Sequence, residues 1–308
     1  MISDKVIFNL GKDMVEEVAE RVFEAGQKES LGTVIKKEGA AGHEILVADE
    51  LSEEIIKKSA KMCLEKCPKD IVEKIVTISE GTGIVEYGNA DARDGIFMII
   101  DPIDGTNNNV RPWKTPSPVT CVSIAFGSIK DALTRPRLDS IRVGFVRDIF
   151  SKAMIYALKD EGSYYEGFGK IKSSPMKDLK DVVLGVDLDD KKHFDEVLEK
   201  VTPLMRETKC QRRIGSSILD MWLVATGEYD AYITISGRMK LYDIAAVKLI
   251  IEEAGGVFEE SLAGEANEEN ILRELLATKD LACLKNCGFS VITSGNKELH
   301  KKIKDKLA

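Results

Sequence analysis

The chain has 308 residues, 44% hydrophobic and 31% charged, which is ordinary for a soluble globular protein able to bury a full core. Its 52 acidic against 44 basic side chains leave a net charge of -8, which argues against general nucleic-acid binding but leaves room for phosphates bridged by metal cations. No apolar run reaches the roughly 18 residues of a membrane span, the first residues lack a signal-peptide core, and six scattered cysteines suit a reducing cytoplasm.

Apolar residues Val6, Leu10, Met14, Val18 and Val22 keep helical spacing and predict a long helix ending near Gly26. The polar, glycine-bearing stretch 36–42 reads as a mobile loop, and a second helix is expected from Ala48 to Cys67. The texture then changes to strands. The runs at Ile75–Ile78 and Gly95–Ile100 are continuously apolar, as expected of strands covered on both faces. Each stops at an acid, Glu80 and Asp101, so two carboxylates could meet at neighbouring strand ends. Further strands are expected at Val119–Phe126, Ile141–Val146, Lys152–Leu158 and Ser163–Tyr165, with a hairpin turn at Asp160-Glu161-Gly162.

From about Asp181 strands and helices alternate: strand Val182–Val186, helix His193–Met205, helix Ser216–Thr226, strand Ala231–Ile235, helix Asp243–Ala254, and strands Gly256–Glu259 and Ser290–Thr293. This predicts an α/β fold in two parts, an α+β subdomain over 1–180 and a more regular α/β subdomain over 181–308. The charged stretch Ser261–Asn286 reads as helical. The pairs Cys63/Cys67 and Cys283/Cys287 share a four-residue step that suits helix packing better than a zinc site. His43, His193 and His300 fall in polar surroundings and are expected at the surface.

Chemistry concentrates at Asp101-Pro102-Ile103-Asp104-Gly105-Thr106. Pro102 lacks an amide hydrogen and is expected to stop the strand ladder, after which a turn returns Asp104 towards Asp101. Two carboxylates forced together need a proton or a cation between them. Magnesium takes oxygen ligands of this kind together with substrate phosphate oxygens. Gly105 permits close backbone approach, and the Gly105 and Thr106 amides could donate to a phosphate. A solvent-exposed Asp-Gly turn accounts for the same six residues, and Asn107-Asn108-Asn109 suit a loop equally well.

The hexapeptide followed by asparagine resembles the first metal motif of the inositol monophosphatase superfamily, which also contains fructose-1,6-bisphosphatases. Tyr242-Asp243-Ile244-Ala245-Ala246, running to Glu253-Ala254-Gly255-Gly256, is similar to its second motif. Gly215-Ser216-Ser217 through Asp230-Ala231-Tyr232 matches the helix before it, and Ala48-Asp49 and Ser79-Glu80 resemble the family's early Ala-Asp pair and strand-end glutamate. The resemblance spans nearly the whole chain. It implies a layered α-β-α-β-α sandwich. It implies Mg²⁺ (two or three ions, with Mn²⁺ as a substitute) held by Glu80, Asp101, Asp104, Asp243 and the Ile103 carbonyl. It also implies a water activated by Thr106 under the orientation of Asp49, and phosphate contacts from Gly105 and Thr106.

Departures from the family bear on the substrate. Gly81 stands where a second acid is common, and residues 39–45 lack the usual approach to the Ala-Asp pair. The stretch Ile233–Leu241 carries Arg238 and Lys240 in place of a frequent glutamate, and Arg212 and Arg213 precede Gly215. A cationic rim formed by Arg213, Arg238 and Lys240, with Ser216 near the sugar, favours a substrate bearing a second anionic group. Solvated turn residues account for the same cations. Asp243 reads either as a ligand or as a helix N-cap, and Ser216 as a cap rather than a nucleophile.

The sequence therefore predicts a Mg²⁺-dependent phosphomonoesterase acting on inositol monophosphate, fructose 1,6-bisphosphate or both. The alternatives are a phosphatase of 3'-phosphoadenosine 5'-phosphate, or a catalytically silent sugar-phosphate-binding regulator. A cytoplasmic homodimer, without nucleic-acid or membrane partners, is the expected form.

Overall fold

Helix α1 (Asp4–Lys28) turns Met14, Val15, Val18 and Val22 inward and keeps charged residues outward, the amphipathic pattern of a helix laid on a sheet. The computed structural model describes residues 3–28, 34–36, 45–66, 72–92, 95–109, 119–135, 137–263 and 271–308. After α1 come the short strands β1 (Val34–Lys36) and β2 (Ile45–Leu46), then α2 (Val47–Lys66). Strands β3 (Lys74–Ser79), β4 (Gly83–Gly88) and β5 (Ile96–Asp104) follow, with a 3-10 turn over Thr106–Asn109. Next are β6 (Cys121–Ser128), α3 (Ile129–Ala132), β7 (Ile141–Asp148), β8 (Met154–Leu158), β9 (Gly162–Tyr165) and β10 (Gly169–Lys170).

The second half holds β11 (Val183–Val186), α4 (Phe194–Glu207), β12 (Cys210–Arg212), α5 (Ser217–Thr226), β13 (Ala231–Met239) and α6 (Leu241–Glu253). It closes with β14 (Val257–Ala263), α7 (Ile271–Thr278), α8 (Leu281–Asn286), β15 (Gly288–Ser294) and α9 (Lys297–Leu307). Among the described residues, β10-β9-β8-β7-β6-β5-β3-β4 form an eight-stranded sheet and β12-β11-β13-β15-β14 a five-stranded one.

Burial explains the layering. Helices α1 and α2 cover one face of the large sheet through Val18, Ile55, Ile100, Phe126 and Phe145. On its other face lie α5 and α6, which are apolar on nearly every side because they pack between the two sheets. Helices α4 and α9 close the outer face of the small sheet through Val201, Leu204, Leu299 and Ile303. The result is the α-β-α-β-α sandwich that the resemblance implies. Gly144 in β7 lets α6 press close, since a Cβ there would stand 2.9 Å from the Ala246 carbonyl.

Three expectations change. The ladder does not stop at Pro102: β5 runs on to Asp104, and one extra residue is absorbed as a bulge between the pairs Asp101–Ser123 and Asp104–Cys121. Helix α6 begins at Leu241, which makes Asp243 its third residue rather than its N-cap. His300 is buried in α9, with Nδ1 beside Ser294 Oγ at 3.1 Å and Nε2 beside Glu259 Oε2 at 3.2 Å. Its polar neighbours in sequence face outward, while its own position faces the sheet. His193 is half-exposed on Asp190, and His43 and Cys67 lie outside the described residues. Cys287 lies just past α8, its sulfur 3.7 Å from that of Cys283.

Candidate functional site

Strands β3 and β5 run parallel, with Ser79 opposite Ile100, so the residues that follow each, Glu80 and Asp101, emerge side by side. The bulge then brings Asp104 round to the same edge. Asp101 is buried and its Oδ1 accepts from the Ile103 amide at 3.0 Å. Asp104 reaches the N-terminus of α5: its Oδ2 accepts from Ser216 Oγ and, at 3.0 Å, from the Ile218 amide. Ser216 is thus both N-cap of α5, accepting from Leu219 N at 3.2 Å, and an anchor for Asp104. Asp243 comes from α6, where its Oδ2 accepts from the Lys240 amide at 2.6 Å. Backbone or cap donors thereby fix one oxygen of each of these three carboxylates.

Electrostatics tie the cluster together. Burial pushes the Asp101 carboxyl well above its ordinary range, and the charges of Asp104, Asp243 and Glu80 push it further. Asp243 is raised well above its ordinary range in the same way, by burial and then by Asp104 and Glu80, against the opposing Lys240 amide. Asp104 is raised by burial too, but Ser216 and the Ile218 and Gly105 amides oppose the shift. Closely set, desolvated oxygen donors of one charge suit a hard divalent cation and leave little for a softer one. Among the described residues they do not yet close into a cage of three or more acids.

Around Asp104 the backbone is locked. Gly105 has φ +86°, and a Cβ there would lie 2.5 Å from the Val119 carbonyl, so only glycine turns the chain here. Asn108 donates from Nδ2 to the carbonyls of Val119 (2.7 Å), Ile214 (3.2 Å) and Gly215 (3.1 Å), tying the acidic turn to the loop before α5. In the sequence Asn108 suits an ordinary loop. No local pattern shows a contact across more than a hundred residues.

The cluster opens on a cavity of about 600 Å³ that Asp104, Thr106, Ser216 and Asp243 help to line. Arg213 and Arg238 line it as well, whereas Lys240 is not among its lining residues and presents its backbone amide to Asp243. Asp49 falls in the first turn of α2, and its side chain lies outside the described residues. Three further acids of the cavity wall, Asp187, Asp189 and Asp220, were missed. Asp187 follows the apolar strand β11, the same signal that marked Glu80 and Asp101. Asp220 is buried in α5 with Oδ1 lacking a hydrogen-bond partner, and burial pushes its carboxyl up to about 8.

Two acids of the long motifs are structural. Glu253 accepts from the amides of Asp160 at 2.8 Å and Gly162 at 2.9 Å, docking α6 on the β8–β9 turn. Asp230 accepts from Ser174 Oγ and the Val183 amide, joining β11 to β13.

The model of the inositol monophosphatase family matches residues 4–298, and the chain belongs to that family of phosphoric monoester hydrolases. It is 29% identical over 290 residues to the fructose-1,6-bisphosphatase/inositol-1-monophosphatase of Methanothermobacter thermautotrophicus, covering 94% of this chain and 92% of that protein. To a bifunctional NADP phosphatase/NAD kinase of Methanococcus maripaludis it is 28% identical, over 84% of this chain but only 45% of that longer protein. The crystal structure of extragenic suppressor protein suhB from Bartonella henselae superposes with a TM-score of 0.70 at 20% identity, covering 98% of each chain, a likeness of fold.

Proposed function

We propose that the chain is a Mg²⁺-dependent phosphomonoesterase of sugar phosphates. The observation that carries this reading is the electrostatic interaction of Asp101, Asp104 and Asp243, three raised carboxylates from two distant parts of the chain, of which Asp104 and Asp243 line one cavity. Glu80, Asp101, Asp104, Asp243 and the Ile103 carbonyl would hold Mg²⁺, which when bound neutralises the phosphate, generates hydroxide and stabilises the leaving alkoxide. Thr106 lines the cavity at the head of the 3-10 turn, and its hydroxyl would orient the attacking water. The amides of Gly105, shared with Asp104, and Thr106 would supply donors for phosphate oxygens, while the α5 amides of Ile218 and Leu219 are taken by Asp104 and Ser216. Phosphoryl transfer needs little beyond such positioning and charge stabilisation.

Arg213 and Arg238 supply cationic donors to the lining of the same cavity and favour a leaving group with a second phosphate. An adenine platform has less support: Tyr232 is the one aromatic residue among the described lining residues, and its ring is fully buried. A silent regulator would require a broken ligand set, whereas Glu80, Asp101, Asp104, Thr106 and Asp243 are all present.

Phosphate release from inositol 1-phosphate, fructose 1,6-bisphosphate, NADP and 3'-phosphoadenosine 5'-phosphate, with Mg²⁺ and with EDTA, tests the reading. Release from a sugar phosphate that EDTA abolishes is the expected result. Release that survives EDTA, or none from any sugar phosphate, would overturn it.

A further inference from the structure

Arg213 and Arg238 come from different elements, the loop before α5 and strand β13, yet both bind one residue. Arg213 Nη2 donates to Asp189 Oδ1, and Arg238 Nη1 donates to the Asp189 carbonyl. All three residues line the 600 Å³ cavity, and all three also line an adjoining groove of about 1030 Å³ that carries Lys191 and Lys192. The Arg213–Asp189–Arg238 bridge is therefore a wall common to both.

We infer that Asp189 is a specificity-determining internal anion, whose carboxylate stands where the second phosphate of a bisphosphorylated sugar binds and gives way to it. The inference rests on the sugar-phosphate reading above. Two observations and one chemical preference support displacement rather than a fixed strut. The Asp189 side chain is 63% exposed and that of Arg213 44%, so solvent screening leaves their ion pair weak. A phosphate offers a guanidinium more charge and a bidentate geometry, which a single aspartate oxygen does not match.

The backbone, in contrast, is pinned on both sides of Asp189. The Asp189 amide donates to Asp187 Oδ1 at 2.9 Å, and the buried Asp190 accepts from the amides of Lys192 at 3.0 Å and His193 at 3.2 Å. Rotation of one side chain is then enough to release Arg213. Arg238, held by the carbonyl, stays in place to receive the incoming anion. With the Asp189 carboxylate turned away, the arginines face a groove whose nearby lysines reinforce a positive potential. A monophosphate gains nothing from this exchange and meets the bridge as it stands.

The test is steady-state kinetics with fructose 1,6-bisphosphate and inositol 1-phosphate at saturating Mg²⁺, on the wild-type chain, Asp189→Asn, Asp189→Ala and Arg213→Ala. In both Asp189 variants the KM for the bisphosphate should fall about threefold or more relative to that for the monophosphate, the scale of a screened ion pair. The change should appear in KM rather than kcat. A rise in the bisphosphate KM would make Asp189 the scaffold that aims Arg213, and the inference would be wrong; an unchanged KM ratio would also overturn it. Arg213→Ala separates this from the reading beneath it. If that variant loses bisphosphate and monophosphate equally, the second-anion reading fails and the role of Asp189 fails with it. If it loses the bisphosphate selectively while the Asp189 variants leave the ratio alone, displacement alone is refuted.

Discussion

Asp104 differs from its two neighbours in what it borrows. Asp101 and Asp243 each take one backbone amide, while Asp104 takes the Ser216 hydroxyl and sits at the positive end of α5. Burial raises all three carboxyls, but at Asp104 the Ser216 hydroxyl and the Ile218 and Gly105 amides oppose the rise. Asp104→Asn should keep its cap contacts and the fold, yet lower kcat by about 10²-fold or more, the scale of a lost transition-state electrostatic contact. Near-wild-type turnover with unchanged circular dichroism would remove Asp104 from the site. Thr106→Ala should slow kcat by about 10²-fold, more than it alters KM, as loss of a proton-handling group does; an unchanged kcat would remove its role with water. Asp220 allows a test without substrate. Its carboxyl, at about 8, lies above the ordinary aspartate value. The folded chain therefore holds a proton that the unfolded chain has lost between about pH 4 and pH 8, and stability falls as pH rises through that window. Asp220→Asn should gain on wild type by about 1–3 kcal/mol between about pH 5 and pH 8, read from urea midpoints. A difference that does not change with pH would show that Asp220 does not titrate there.

Elements meet at the site through a few cross-ties. Asn108 holds the 3-10 turn to the loop before α5, and without it three carbonyls lose a donor. Asn108→Ala should cost about 1–3 kcal/mol of stability, the penalty for stranded polar groups, and should lower kcat because Thr106 and Asp104 ride on the same turn. Thermal melts and single-turnover rates would both register the change; loss of stability alone would limit Asn108 to scaffolding. At the other end of α6, Glu253 binds two amides of the β8–β9 turn, far from the chemistry. That the long Glu-Ala-Gly-Gly motif ends on a docking contact shows that a family motif mixes residues of the site with residues that seat its helices.

At the scale of the molecule, the middle helix layer makes the site. Helices α5 and α6 are buried between the sheets, and their N-termini carry Ser216 and Asp243 to the edge of β5. Closing the cluster brings like charges together inside the fold, so a bound cation should be worth stability as well as activity. Saturating Mg²⁺ should raise the melting temperature by several degrees, as roughly 1–3 kcal/mol of ligand binding does, and Asp243→Asn should blunt that rise. An identical shift in wild type and variant would place the ion elsewhere.

Much of this was legible in the chain itself. Apolar runs ending on Glu80 and Asp101 marked two strand ends, and the apolar faces of α1 and α2 placed those helices within a few residues, because side-chain burial imposes its period directly on the sequence. The same runs missed edge strand β4, whose residues are mostly half-exposed, and misjudged Pro102, because a bulge tolerates a missing amide where a regular ladder does not. Asp187 carried the strand-end signal unread. The alternation of strands and helices, with the motifs' resemblance to the family, pointed to the class of fold and to the acids proposed for the site. Only the tertiary structure decided that Ser216 and Ile218 hold Asp104, that Asn108 reaches Gly215, and that Arg213 and Arg238 converge on Asp189. These contacts join residues 24 to more than 100 positions apart, and such pairs leave no period in the chain because the sheet register and the burial of α5 and α6 alone bring them together.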